Sequence, residues 1–91
     1  MYSITTPISF LRTAKKFFKR HPELKERFRD VITLLQKNPH DPSLKLHVLD
    51  GKLAGLQAVR LSYKYRMTLL IKLSRKNITL LDIGSHDDVY R

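Results

Sequence analysis

The segment Asn38-Pro39-His40-Asp41-Pro42 cuts the chain into two halves whose apolar residues recur with different periods. Neither a helix interior nor a central strand accommodates Pro39 and Pro42 so close together, so the segment reads as a loop. Before it the apolar residues repeat at helical spacing, and after it they alternate as in strands. A chain that is helical first and stranded second must lay its helices over a sheet. The expected class is therefore α+β, with the helices on one face.

In the first half, Tyr2-Ser3-Ile4-Thr5-Thr6 carries strand formers and stops at Pro7, which predicts a short opening strand. Ile8 to Arg20 has Ile8, Leu11, Ala14 and Phe18 at helical spacing, and these are the expected buried stripe. Arg12, Lys15, Lys16 and Lys19 fall on another face as a basic stripe. His21-Pro22 ends this helix and opens a second, because proline suits a first helical turn and disfavours continuation. The second helix is expected to reach about Gln36, with Leu24, Phe28, Val31 and Leu35 buried.

The second half predicts three strands. Leu56 to Ser62 alternates, with Val59 and Leu61 on one side and Ala58, Arg60 and Ser62 on the other. Tyr65 to Leu73 is apolar enough for a central strand, with Met67, Leu69 and Ile71 opposite Arg66, Thr68, Leu70 and Lys72. Arg75-Lys76-Asn77 turns the chain into Ile78 to Ile83, and Gly84-Ser85 leads into a final helical turn from His86 to Tyr90. The expected order is β-α-α-β-β-β with a short tail, on an antiparallel sheet. If the helices cover one face, Arg60 and Arg66 are left on the other, with the tail closing one side of a groove.

Ninety-one residues suffice for a single domain, residues 1–91, with one modest core. An apolar share of 42% is that of a globular chain. There is no cysteine, which removes disulfides and thiolate zinc sites. The apolar runs are short and interrupted, so the expectation is a soluble, cytoplasmic protein with no membrane segment. Eighteen Lys and Arg against eight Asp and Glu leave a formal charge of +10, which points to a polyanionic or acidic partner, nucleic acid first.

The order and spacing of several short motifs resemble the RelE/ParE superfamily of toxins. Leu49-Asp50-Gly51-Lys52-Leu53-Ala54-Gly55 is similar to that family's L-x-G-x-x-x-G approach to the sheet. Val59-Arg60-Leu61 followed by Tyr65-Arg66-Met67-Thr68-Leu69-Leu70 resembles its basic strand and its Tyr-Arg-apolar strand. Ile83-Gly84-Ser85-His86-Asp87-Asp88-Val89-Tyr90-Arg91 is similar to the tail of the YafQ-like branch. The motif resemblance covers residues 49–91, and the helical hairpin joins it by pattern only. Ala58 departs from the basic residue that some members carry, and Lys64-Tyr65 stands near where YafQ-like members have Asp-Trp.

The resemblance implies a type II toxin that cleaves mRNA in the ribosomal A site without a metal or other cofactor, and that a cognate antitoxin neutralises. It gives Arg66 the scissile phosphate, His86 proton transfer and Tyr90 a substrate base, with Arg60 as a neighbouring basic group. Such chemistry is coherent: the 2′-hydroxyl attacks its own phosphate if one group takes its proton, another protonates the 5′-oxygen and cations hold the added charge. His86 is the one histidine expected near the groove. Lys52 and Lys64 are further candidate substrate contacts, and Lys15, Lys16 and Lys19 candidate contacts to 16S rRNA of the ribosome. His40, Asp41 and His47 lack diagnostic metal-ligand spacing. Two alternatives share the charge: a ParE-like inhibitor of DNA gyrase, and a nucleic-acid-binding module without catalysis. Neither requires Arg66, His86 and Tyr90 around one groove.

Overall fold

A computed structural model describes residues 1–89, apart from the side chain of Asp88. The elements run β1 (Ser3–Thr5), α1 (Ile8–Arg20), α2 (Lys25–Lys37), β2 (His47–Val48), β3 (Gln57–Arg60), β4 (Tyr65–Lys72), β5 (Asn77–Ser85) and α3 (His86–Val89). The sheet order is β1-β5-β4-β3-β2. The α+β arrangement stands as expected, and the strands are antiparallel except at β1, which pairs in parallel with β5. The two-residue β2 is an edge strand too short to show a period.

The helix α1 begins after Pro7, whose carbonyl accepts from Leu11 N at 3.0 Å. It ends at His21, where the following proline disfavours helical backbone. Lys19 and Arg20 sit in its last turn, where cations suit the helix dipole. Its buried face differs from the expected stripe. Phe10, Ala14 and Phe17 are buried, whereas Ile8 and Leu11 are 69% and 49% exposed. Two apolar stripes competed, and the one that buries two phenyl rings removes more apolar surface from water. Phe18 is half-buried and meets Phe28 of α2 edge-on, with centroids 5.1 Å apart.

On α2, Val31 and Leu35 are buried, and Leu24 and Phe28 pack partly against the core as the spacing predicts. Pro22–Leu24 forms a 3-10 turn that leads into the helix. From the sheet, Val59, Leu61, Met67, Leu69, Ile78, Leu80 and Ile83 complete the core. The β4–β5 register shifts between Thr68 and Leu69, pairing Thr68 with Asp82 but Leu69 with Leu80. The extra residue, Leu81, is a β-bulge, and it lets both Leu80 and Ile83 face the helices despite their odd spacing.

The face away from the helices is only partly open. Ala58 and Thr68 alternate with core residues and so point to that face, yet both are buried. The short α3 folds back against β4 and β5, with Val89 buried. No helix among the described residues is long and apolar enough to cross a membrane.

Candidate active site

Residues directly opposite on neighbouring strands point to the same face of a sheet. The register pairs Arg60 with Arg66 across β3 and β4, and Arg66 with Gly84 across β4 and β5. His47 on β2 pairs with Ala58, two residues before Arg60 on β3, so it shares the face of the two arginines. His86 follows Ser85, whose partner is Tyr65, and so starts α3 at the same end of the sheet.

These positions meet in one open cleft of about 570 Å³, lined by Lys45, His47, Arg60, Tyr63, Arg66 and His86. Past His47 and His86 it continues into a second hollow lined also by Val48, Asp50 and Lys52. Arg60 and Arg66 are half-buried, and neither forms an ion pair with a carboxylate among the described residues. The expected alternatives for Arg66, pairing with Asp82 or Asp50, are therefore not realised. Its guanidinium instead reaches the Tyr63 carbonyl at 3.5 Å. The Arg60 guanidinium carbon lies 5.5 Å from the Tyr63 ring centroid.

The two histidines are held differently. His47 Nδ1 lies 2.9 Å from the Lys45 carbonyl oxygen. A carbonyl only accepts, so Nδ1 carries the hydrogen and Nε2 is the basic nitrogen of the neutral ring. His86 Nδ1 lies 3.7 Å from the Asp87 carboxylate at the exposed start of α3. The loop before β2 is shaped by Asp41, whose carboxylate accepts from the Ser43 backbone N–H at 3.0 Å and the Ser43 hydroxyl at 2.7 Å. The Ser43 hydroxyl, then its N–H, hold the Asp41 pKa below the ordinary carboxylate value.

Of the residues expected from sequence, the fold brings Arg60, Arg66 and His86 together and places Lys52 in the adjoining hollow. Lys64 is exposed in the β3–β4 turn and lines neither. Tyr90 lies outside the described residues. Lys15, Lys16 and Lys19 are exposed on α1, and Lys16 borders a separate groove with Arg20, His21 and Tyr65. His86 is not the sole histidine of the cleft, because β2 brings His47 to it. His47, Lys45 and Tyr63 were invisible to periodicity, since each lies in a loop or a two-residue strand. Among the described residues no group of three or more His, Asp or Glu side chains is placed to hold a metal ion.

No family model and no curated protein sequence matches the chain. Solved structures do match it. A metal-bound toxin from Helicobacter pylori is 27% identical, with 98% of this chain and 99% of the other covered and a TM-score of 0.76. YafQ from E. coli superposes at a TM-score of 0.82 and 18% identity over 100% of both chains. A YoeB/ParE toxin from Agrobacterium tumefaciens gives 0.75 at 19% identity, covering 92% of this chain and 98% of its own. The chain thus has the fold of small bacterial toxins. Within that class it is a RelE/YafQ-like fold, as the second-half motifs led one to expect.

Proposed function

We propose that the chain is the toxin of a type II toxin–antitoxin pair, a metal-independent endoribonuclease that cleaves mRNA in the ribosomal A site. The observation that carries this reading is the pair Arg60–Arg66 facing His47 and His86 in one cleft. Paired guanidinium groups with no carboxylate partner among the described residues suit a phosphodiester, whose oxygens match their planar forks. Two imidazoles supply the two proton transfers that attack by a 2′-hydroxyl requires.

In this reading His47, with Nδ1 committed to the Lys45 carbonyl, takes the 2′-hydroxyl proton at Nε2. The 2′-oxygen then bonds to phosphorus, and the bond from phosphorus to the 5′-oxygen breaks. His86 protonates the departing 5′-oxygen, leaving a 2′,3′-cyclic phosphate. Arg66 and Arg60 hold the charge that builds on the non-bridging oxygens. Lys52 and Lys64 attract flanking phosphates, and Tyr90 contacts a substrate base. Lys15, Lys16 and Lys19, away from the cleft on α1, hold ribosomal RNA by salt-sensitive contacts.

A cognate antitoxin is the expected protein partner. YafQ, which shares this fold, has been solved in the E. coli DinJ-YafQ toxin-antitoxin complex. The +10 charge of the chain favours an acidic partner segment.

The test is a translating bacterial extract with a reporter mRNA, its 5′ ends mapped by primer extension. New ends within codons are expected with ribosomes and wild-type protein, and are expected to vanish with Arg66→Ala or His86→Ala. A folded wild type that produces no new ends sinks the nuclease reading. A gyrase supercoiling assay then decides for or against the ParE-like alternative.

A further inference from the structure

We propose that Tyr63 is a base-stacking platform of the cleft, gripping one unpaired base of a single-stranded RNA beside the phosphate held by Arg60 and Arg66. The assignment rests on the ribonuclease reading of that cleft. Tyr63 is 81% exposed, an arrangement that does nothing for the core. A ring at the tip of a turn would ordinarily wander, but this turn is pinned on several sides. Leu61 N and Ser62 N both donate to the Tyr65 carbonyl, at 2.9 and 3.1 Å. Arg27 Nε, from α2, donates to the Leu61 carbonyl at 2.9 Å. Arg66 reaches the carbonyl of Tyr63 itself.

The ring is held as well as the backbone. Arg60 sits over one face at cation–π distance, which leaves the other face to solvent at the wall of the cleft. A nucleobase laid on that face completes a sandwich of guanidinium, phenol and base. Stacking of this kind tolerates any base but grows with ring area, so purines are favoured over pyrimidines. The same Arg60 then serves two ends of one nucleotide, steadying the ring under the base and meeting the phosphate beside it. Tyr63 touches the substrate without taking part in proton transfer, and its loss is expected in affinity and KM ahead of kcat.

The experiment uses short single strands with 2′-deoxy sugars, which lack the attacking hydroxyl, each carrying fluorescent 2-aminopurine at one position. Titration with wild type is expected to quench one position selectively. Tyr63→Ala is expected to abolish that quench and raise Kd about tenfold, while Tyr63→Phe keeps both. Matching thermal melts establish that the variant is folded. If Arg66→Ala weakens binding but Tyr63→Ala changes neither quench nor Kd, the assignment is overturned and the cleft remains an RNA site. If wild type binds no strand, or Arg66→Ala is without effect, the assignment of Tyr63 falls, and the cleavage assay with ribosomes decides the reading of the cleft separately.

Discussion

Arg60 and Arg66 are direct partners across the β3–β4 ladder, so two guanidinium groups leave the same sheet face side by side. Like charges directly opposite one another destabilise a sheet. A pair that meets no carboxylate among the described residues suits an anion that is present only in function. Arg66→Ala is therefore expected to leave thermal stability unchanged or to raise it slightly, while ribosome-dependent cleavage falls about 10²–10³-fold. Melting curves and primer extension on the same preparation check both halves. A variant that loses stability along with activity would assign Arg66 to the fold instead.

The same pair makes a prediction about ions. Sulfate or phosphate should raise the melting temperature of wild type in proportion to the logarithm of its concentration once the site fills, because a ligand of the folded state adds RT ln(1 + [L]/Kd). The increment should shrink in Arg60→Ala and in Arg66→Ala. An equal rise in all three proteins would mean that the anions act by general exclusion from the surface and not at the cleft.

His47 and His86 enter the cleft from opposite ends of the described second half, one on β2 and one opening α3. With one as base and the other as acid, single-turnover cleavage should follow a bell-shaped pH profile. His47→Gln and His86→Gln are each expected to cost about 10²–10⁴-fold and to remove one limb of the bell. A variant that retains both limbs excludes the altered histidine from proton transfer.

Legibility from sequence followed the strength of the period. The stripe Leu24, Phe28, Val31 and Leu35 and the β4 set Met67, Leu69 and Ile71 were readable, because each keeps one regular period toward the core. So was the face of Arg60 and Arg66, because the β3–β4 turn keeps their register. On α1 two apolar stripes overlapped, and only the sheet could choose Phe10 and Phe17 over Ile8 and Leu11. The bulge at Leu81 left no mark in a run of consecutive apolar residues. His47 and Tyr63 joined the site through tertiary placement of a short edge and a turn, to which no repeat in the chain points.

The loop that delivers His47 carries its own pH dependence. The Asp41 pKa is lowered by the Ser43 hydroxyl and N–H, so the folded chain holds the ionised form more firmly than the unfolded chain does. The stabilisation is therefore fully present above the ordinary value of 3.8 and is lost as pH falls through the lower folded value. Asp41→Ala should melt below wild type at neutral pH, and the difference should close in acid. A gap of the same size at both pH values would locate the effect in packing and not in the carboxylate.

Beneath the site, Thr68 is buried on the cleft-side face of β4, and its Oγ1 has no hydrogen-bond partner among the described residues. A hydroxyl stripped of water without replacement costs about 1–3 kcal/mol. Valine has nearly the same shape and the same preference for strands, and it removes the unpartnered atom. Thr68→Val is therefore expected to raise unfolding free energy by about 1 kcal/mol in urea melts, with the slope against denaturant unchanged. Thr68 lies two ladder rows from the Arg60–Arg66 pair, the next position on the same face, so cleavage by the variant discriminates between two roles. Greater stability at undiminished activity identifies the hydroxyl as a defect of the fold. Greater stability with lost activity means that it binds something that enters the cleft with the substrate.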